Sequence, residues 1–179
     1  MTVLPICRFP NNAGLRQKAK KVSRIDSSVQ RLIDNIIETM QWANGVGLAA
    51  PLVGVPLRVI VAQMPGEEPI VFINPEIIKR TGEQEVTEGC LSVPGYYGET
   101  KRSTSVTVKG KDRHGKVIRI RGESLMAEAP KHEIDHLDGK LYIDHVEDTA
   151  KLHKIEPGTV SKQNIVEMNT DTGGDGSGV

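Results

Sequence analysis

The sequence predicts one α+β domain built from two helical stretches and several short strands. Apolar residues recur at helical spacing through residues 27–43 and again after Ser124. Between these stretches lie short β-branched runs, separated by turns that contain glycine or proline. The chain has 179 residues, which is enough for one domain with a real core and too few for two comfortable ones.

Composition indicates a protein of a reducing compartment. The 23 basic residues balance the 23 acidic ones, so no global field favours DNA or an anionic membrane. No apolar run approaches membrane-spanning length, and residues 1–10 lack the pattern of a signal peptide. Two cysteines, Cys7 and Cys90, make no disulfide framework. We therefore expect a cytoplasmic protein with no membrane and no DNA partner.

The first helical stretch, residues 27–43, is assigned a structural role only. Its apolar positions share one face, which is expected to pack on the outside of the domain. Ser27 and Gln30 fit a capping box at its start, and Asn44-Gly45 ends it. The apolar positions are Val29, Leu32, Ile33, Ile36, Ile37 and Met40.

Glycines and small residues then form a loop at residues 45–52. Such residues let a substrate backbone approach closely. The loop is a poor match to a nucleotide-binding loop, because it lacks the third glycine and follows a helix rather than a strand.

Strands are predicted at residues 57–63 and 69–75, on either side of the turn Pro65-Gly66. A hairpin is predicted around residues 112–115, with His114 exposed in its turn. The alternating apolar positions of that hairpin are Val106, Val108, Ile118 and Ile120.

The motif His-Glu-x-x-His at residues 132–136 carries the strongest chemical signal. Residues four apart lie one turn above each other on a helix, so His132 and His136 point their imidazoles at the same place. Two neutral imidazoles so placed can hold a divalent metal ion. Glu133, next to the first histidine, can then take a proton from an activated water.

A third protein ligand is needed for a tetrahedral catalytic site, and Cys90 is the candidate. It lies in the segment Glu-Gly-Cys-Leu-Ser at residues 88–92, where Gly89 and Pro94-Gly95 suggest a strand that enters a tight turn. As a thiolate, Cys90 completes a Cys-His-His set. The alternative is a small buried hydrophobic residue, which is what most free cysteines are.

The metal-binding helix contains a proline at position 130. Ser124 is the candidate cap, with Leu125, Ala129 and the two histidines as the inward stripe. Proline in a helix interior costs about 3 kcal/mol. Either the helix is kinked before His132, or it starts late with Pro130 in its first turn. Asp135 is either a hydrogen-bond partner within the structure or an exposed acid.

Three segments in the same order resemble the peptide deformylase family. They are Gly-Val-Gly-Leu-Ala-Ala at residues 45–50, Glu-Gly-Cys-Leu-Ser at 88–92, and His-Glu-x-Asp-His-Leu-x-Gly at 132–139. The resemblance runs from about Leu4 to Val146. It implies antiparallel strands wrapped around the helix that carries the histidines, and removal of the N-formyl group from the initiator methionine of nascent polypeptides.

The resemblance also assigns roles to residues. One divalent ion, characteristically Fe²⁺ although zinc and other ions are possible, is implied at Cys90, His132 and His136. Glu133 is the implied proton acceptor, and the backbone N–H of Leu91 the implied donor to the oxyanion. Val46 and Gly47 are implied to pair with the peptide like an added strand, and Leu125 and Ala129 to line the methionine pocket. Arg102 is implied to face the peptide, with a solvated position as the alternative.

Three departures from the family pattern stand out. Leu52 occupies the position of a glutamine whose amide donates to the formyl oxygen, and losing such a donor typically costs about two to three orders of magnitude in rate. Neither Gln41 nor Gln63 is expected to replace it. Pro130-Lys131 stands where an aliphatic residue and a glutamine are usual, which places the metal geometry in question.

Two alternatives to an active deformylase therefore remain open. The first is a deformylase-like protein that binds metal, with or without peptide, and has weak or no turnover. The second is a general zinc peptidase. We expect a catalytic domain at residues 1–150 and a C-terminal extension at 151–179 that begins with a turn of helix and ends disordered. A ribosomal contact for the whole protein is a further hypothesis.

Overall fold

The computed structural model describes residues 2–156, which form two helices and eight strands. No helix in this part of the chain is long and apolar enough to cross a membrane. The elements are α1 (Ser27–Trp42), β1 (Gly47–Ala49), β2 (Val59–Ala62), β3 (Ile70–Thr81), β4 (Gln84–Cys90), β5 (Val93–Arg102), β6 (Ser105–Lys111), β7 (Val117–Glu123), α2 (Leu125–Leu137) and β8 (Leu152–Lys154).

The strands form two antiparallel sheets, as the predicted α+β class requires. The order in the larger sheet is β1-β2-β3-β6-β7, and in the smaller sheet it is β4-β5-β8. Helix α2 packs against β1, β2, β6 and β7, whereas α1 contacts β1 and β2. The strand β1 at one end of the larger sheet and β4 at one end of the smaller sheet each pair with a single neighbour within residues 2–156.

Helix α1 buries the predicted apolar face, but its start differs from the prediction. Asp26 caps the helix, and its side chain accepts hydrogen bonds from the backbone N–H groups of Ser28 and Val29. The predicted capping box of Ser27 and Gln30 was therefore wrong. The side chain of Gln30 instead donates to the carbonyl oxygen of Arg113, which ties the helix to the β6–β7 hairpin.

Strand prediction succeeded where β-branched apolar residues cluster or alternate, and failed in segments rich in polar residues and glycine. The hairpin was confirmed as β6 and β7, with Val108 opposite Ile120 and a turn at Gly115 that has a positive φ. The strand predicted at 69–75 extends to Thr81. Strands β4 and β5 are rich in polar residues and glycine, so they lack the period-two signal. Only the end of β4, at Cys90, was predicted as strand.

The predicted turn of helix after residue 150 is instead the strand β8. A short 3-10 turn at Thr149–Lys151 precedes it, and Tyr97 on β5 lies opposite His153. Pairing with β5 places residues 152–154 within the folded domain, beyond the predicted boundary at residue 150. The predicted disorder of the extension falls on residues 157–179, which lie outside the described residues.

Candidate active site

Helix α2 runs through Pro130 without losing the arrangement of its two histidines. It begins at Leu125, so the predicted late start at Pro130 was wrong. Ser124 is at the capping position with a φ of 51°, but its side chain makes no cap hydrogen bond. Pro130 is buried and lies one turn into the helix. Lys131 is half-buried, and burial, with repulsion from nearby arginines, lowers its pKa.

Strand β4 brings Cys90 to the histidines on α2. A register shift between Glu88 and Cys90 marks an irregularity where β4 meets β5. Cys90 is buried, and its sulfur lies 3.0 Å from the hydroxyl of Ser92. The Cys90 sulfur is 3.3 Å from Nε2 of His136, which in turn is 3.2 Å from Nε2 of His132. The potential ligand atoms of these three residues all lie within 4.8 Å of one another.

These separations fit a single metal ion. A tetrahedral ion at usual metal–nitrogen and metal–sulfur distances needs nitrogen atoms about 3.3 Å apart and a sulfur–nitrogen separation of about 3.5 Å. The observed pairs are within a few tenths of an ångström of those values. One sulfur and two imidazole nitrogens are also a donor set that both iron and zinc accept.

The charge state of Cys90 suits metal binding as well. Burial raises the pKa of its thiol, but His136 and His132 outweigh burial and hold that pKa well below its usual range. The thiolate is the form that binds a metal ion. The interpretation of Cys90 as only a small buried hydrophobic residue does not explain this environment.

His132 is oriented from behind by Glu88. Its Nδ1–H donates to Oε1 of Glu88 at 3.0 Å, which leaves Nε2 facing Cys90 and His136. Thr100 and Arg102 also donate to the Glu88 carboxylate. Burial raises the pKa of Glu88, but His132 and Arg102 more than offset it and keep that pKa well below the normal range.

Arg102 is buried beneath the site, so the prediction that it faces the peptide was wrong. Its side chain is 0% exposed and pairs with Glu88 at 2.9 Å and with Asp135 at 2.8 Å. Asp135 also accepts a hydrogen bond from His145 at 2.9 Å, and therefore has structural partners. Burial raises the pKa of Asp135, whereas His145 and Arg102 bring it down to about 2.

Glu133 lies at the cavity wall with its carboxylate largely withdrawn from solvent. The side chain packs against Gly47 of β1, and its Oε2 atom has no hydrogen-bond partner within residues 2–156. Burial raises the pKa of Glu133 to about 6, against the opposing effect of His132 and His136. A buried carboxylate with one unpaired oxygen and a raised pKa is suited to accept and return a proton near neutral pH.

A cavity opens above these groups and contains most of the predicted peptide-contacting residues. Leu52 is 1% exposed and presents an apolar side chain to this cavity. Gln41 and Gln63 are not part of the lining, and they bond to each other at 3.1 Å. The lining includes Val46, Gly47, Leu91, Leu125 and Ala129, together with Cys90, His132 and Glu133.

Sequence reasoning missed the supporting roles of Glu88 and His145. Glu88 belongs to the quoted motif, but the prediction assigned it no function, and His145 was expected to be an ordinary surface residue. Their partners lie 44 and 10 residues away in the chain, and no local spacing signals either contact.

Three protein ligands for one metal ion beside a buried carboxylate are the arrangement expected of a metal-dependent hydrolase. Similarity to known proteins identifies the family within that class. The family described as polypeptide deformylase matches residues 3–152. A peptide deformylase of Dehalococcoides mccartyi is 54% identical over 168 residues, which cover 93% of this chain and 100% of the relative.

Solved structures agree with that match. The crystal structure of a peptide deformylase from Legionella pneumophila has a TM-score of 0.78 and 42% identity, covering 96% of this chain and 95% of that one. A Met-Ala-Ser-bound peptide deformylase from Acinetobacter baumannii has a TM-score of 0.76 and 30% identity, covering 81% of this chain and 99% of that one. The chain belongs to the polypeptide deformylase family, a family of metal-dependent hydrolases.

Proposed function

We propose that Cys90, His132 and His136 hold one Fe²⁺ ion and that Glu133 uses this centre to remove the formyl group from N-formylmethionyl nascent peptides in the cytoplasm. The observation that carries the proposal is the convergence of one thiolate and two imidazoles next to a buried carboxylate in a cavity. Zinc fits the same donor set, and the choice of iron follows from the family resemblance.

An ion held by Cys90, His132 and His136 would supply Lewis acidity and would lower the pKa of water near Glu133. Glu133 accepts a proton from the attacking water as oxygen adds to the formyl carbon. The same carboxyl then gives that proton to the departing nitrogen as the carbon–nitrogen bond breaks, which yields formate and a free amino terminus. The backbone N–H of Leu91 donates to the formyl oxygen as negative charge develops there.

The two terminal strands around the cavity suit an extended peptide. β1 pairs only with β2, and β4 pairs only with β5, within the described residues. Gly47 at the start of β1 and Cys90 at the end of β4 both line the cavity. A peptide can therefore add to the free edge of β1 as a strand, with Val46 and Gly47 contacting its backbone. Leu125 and Ala129 provide apolar surface for the methionine side chain.

The Met-Ala-Ser tripeptide in the Acinetobacter baumannii relative supports this class of substrate. It is the product that deformylation of formyl-Met-Ala-Ser would leave. Nascent chains carry such termini, which makes the ribosome a candidate partner for the whole protein.

Formate release from formyl-Met-Ala-Ser tests the proposal. Protein purified anaerobically with Fe²⁺ should turn over, and Glu133→Ala should abolish turnover while one metal ion per chain remains bound. Cleavage of internal bonds in unformylated peptides would favour a general peptidase instead. Metal binding without turnover in the unaltered protein would identify an inactive relative.

A further inference from the structure

A continuous set of hydrogen bonds leads from the protein surface to the candidate metal ligand His132. Arg102 donates to both oxygens of Glu88, through Nε and Nη2, each at 2.9 Å. Its remaining terminal nitrogen, Nη1, donates to Oδ2 of Asp135 at 2.8 Å. The same oxygen accepts from Nε2 of His145 at 2.9 Å. The side chain of His145 is 33% exposed, that of Asp135 15% and that of Arg102 0%.

These contacts join the elements that carry the three candidate ligands. Glu88 lies on β4, two residues before Cys90, and bonds to His132 on α2. Arg102 at the end of β5 connects Glu88 to Asp135, which follows His132 by three residues on α2. Two guanidinium nitrogens of Arg102, Nε and Nη2, bind Glu88, and Asp135 binds the third, Nη1. A fork-shaped group that is bonded at all three nitrogens has one orientation.

We propose that His145 and Asp135 are positioning residues of the metal site: His145 holds the Asp135 carboxylate against Arg102, and Arg102 thereby holds Glu88 in the position that orients His132. This inference rests on the proposed metal binding by Cys90, His132 and His136. It concerns residues that contact neither the metal position nor the peptide cavity.

The physical expectation follows from the burial along this path. Without His145, the Asp135 carboxylate loses one of its two donors and is near enough to solvent to rotate outward. Nη1 of Arg102 then loses its partner in a fully buried position. The guanidinium keeps its two bonds to Glu88 but is no longer anchored to α2, so the Glu88 carboxylate, which Thr100 also holds, is less tightly fixed in orientation. Groups that support metal-binding histidines in this way typically change metal affinity by about 10- to 100-fold when they are removed.

Metal affinity of His145→Phe, measured by competition with a chelator, tests the proposal. Phenylalanine keeps a ring but cannot donate to Asp135, whereas His145→Gln keeps an amide donor. His153→Phe is the matched control. His153 is 36% exposed, and its Nε2 lies 3.7 Å from an oxygen of Glu99, which is not one of the residues that support the candidate ligands. The visible spectrum of the Co²⁺-substituted protein reports ligand geometry independently. Thermal unfolding of the metal-free variants reports general stability.

We expect His145→Phe to weaken Zn²⁺ or Co²⁺ binding about tenfold and to shift the Co²⁺ spectrum, since it removes a supporting contact of the site. His145→Gln should recover most of the affinity, and His153→Phe should bind as the unaltered protein does. Unchanged affinity in His145→Phe overturns the inference, as does an equal loss in His145→Phe and His153→Phe. If the unaltered protein binds no metal, the proposed function fails, and this inference fails with it.

Discussion

Gly47 touches the carboxylate that is proposed to move the proton, and replacing Gly47 with alanine tests that role. A methyl group added to Gly47 would lie 2.9 Å from both Cγ and Oε1 of Glu133, and 3.2 Å from its Cδ. Non-bonded carbon atoms prefer separations of about 3.5–4.0 Å. The pairing of β1 with β2 holds the Gly47 backbone in place. The Glu133 side chain must therefore move by roughly 0.5–1 Å.

A displacement of that size should act on catalysis more than on binding. A misplacement of about 1 Å can cost about 100-fold in rate, so Gly47→Ala is expected to lower kcat by roughly 10- to 100-fold. The three atoms nearest to the new methyl all belong to Glu133, so metal content should remain at one ion per chain. Formate release under saturating substrate and metal analysis of the same sample measure both quantities.

Two comparisons make the result decisive. Gly45→Ala is the matched control, because its methyl would lie 3.3 Å from the flexible end of Leu91 and should disturb catalysis much less. The second comparison is metal content, because Gly47→Ala should keep one ion per chain, as Glu133→Ala does. Unchanged kcat in Gly47→Ala, or loss of its metal ion, would refute the reasoning.

Leu52→Gln should raise kcat by up to about two to three orders of magnitude if the missing amide donor limits the rate; unchanged kcat in the formate assay would show that the remaining donors suffice. Activity should fall as pH drops through the pKa of Glu133, because protonation removes the base. Burial raises this pKa to about 6, and a metal cation nearby would lower it. A pH–rate profile without this acid limb would contradict the assignment. Glu88→Gln should destabilise the fold by about 3–5 kcal/mol, because Arg102 is fully buried and loses a charged partner. Chemical denaturation checks this value, and a loss comparable to that of a surface substitution would contradict it.

Local spacing was enough to predict the helical histidines and the hairpin. His132 and His136 share one turn of α2, so their convergence follows from helix geometry alone. Alternating Val and Ile residues predicted β6 and β7 for the same kind of reason, because each signal lies within a few consecutive residues. Cys90 was a candidate ligand from its own segment, with a buried hydrophobic residue as the alternative, and the family resemblance favoured the ligand; it lies 46 residues from the candidate ligand His136.

The effect of Pro130 was not readable from the sequence. A proline at that position allowed either a kink or a late start, and tertiary packing selected a helix that begins at Leu125 with Pro130 buried in its interior. The Cys90 and His136 side chains remain in contact at 3.3 Å. Pro130 therefore lies within the helix without separating the candidate ligands.

The sequence by itself determined the chemical identity of the site, namely a thiolate, two imidazoles and a neighbouring carboxylate. Only the tertiary structure decided how that site is supported. Arg102 was expected at the peptide surface, but it is buried between Glu88 and Asp135. The reason is physical: a buried charge is stable only beside partners that neutralise it, and for Arg102 those partners come from β4 and α2, which are distant in the chain. The residue pattern of a single segment cannot predict the contact of Arg102 with Glu88 and Asp135.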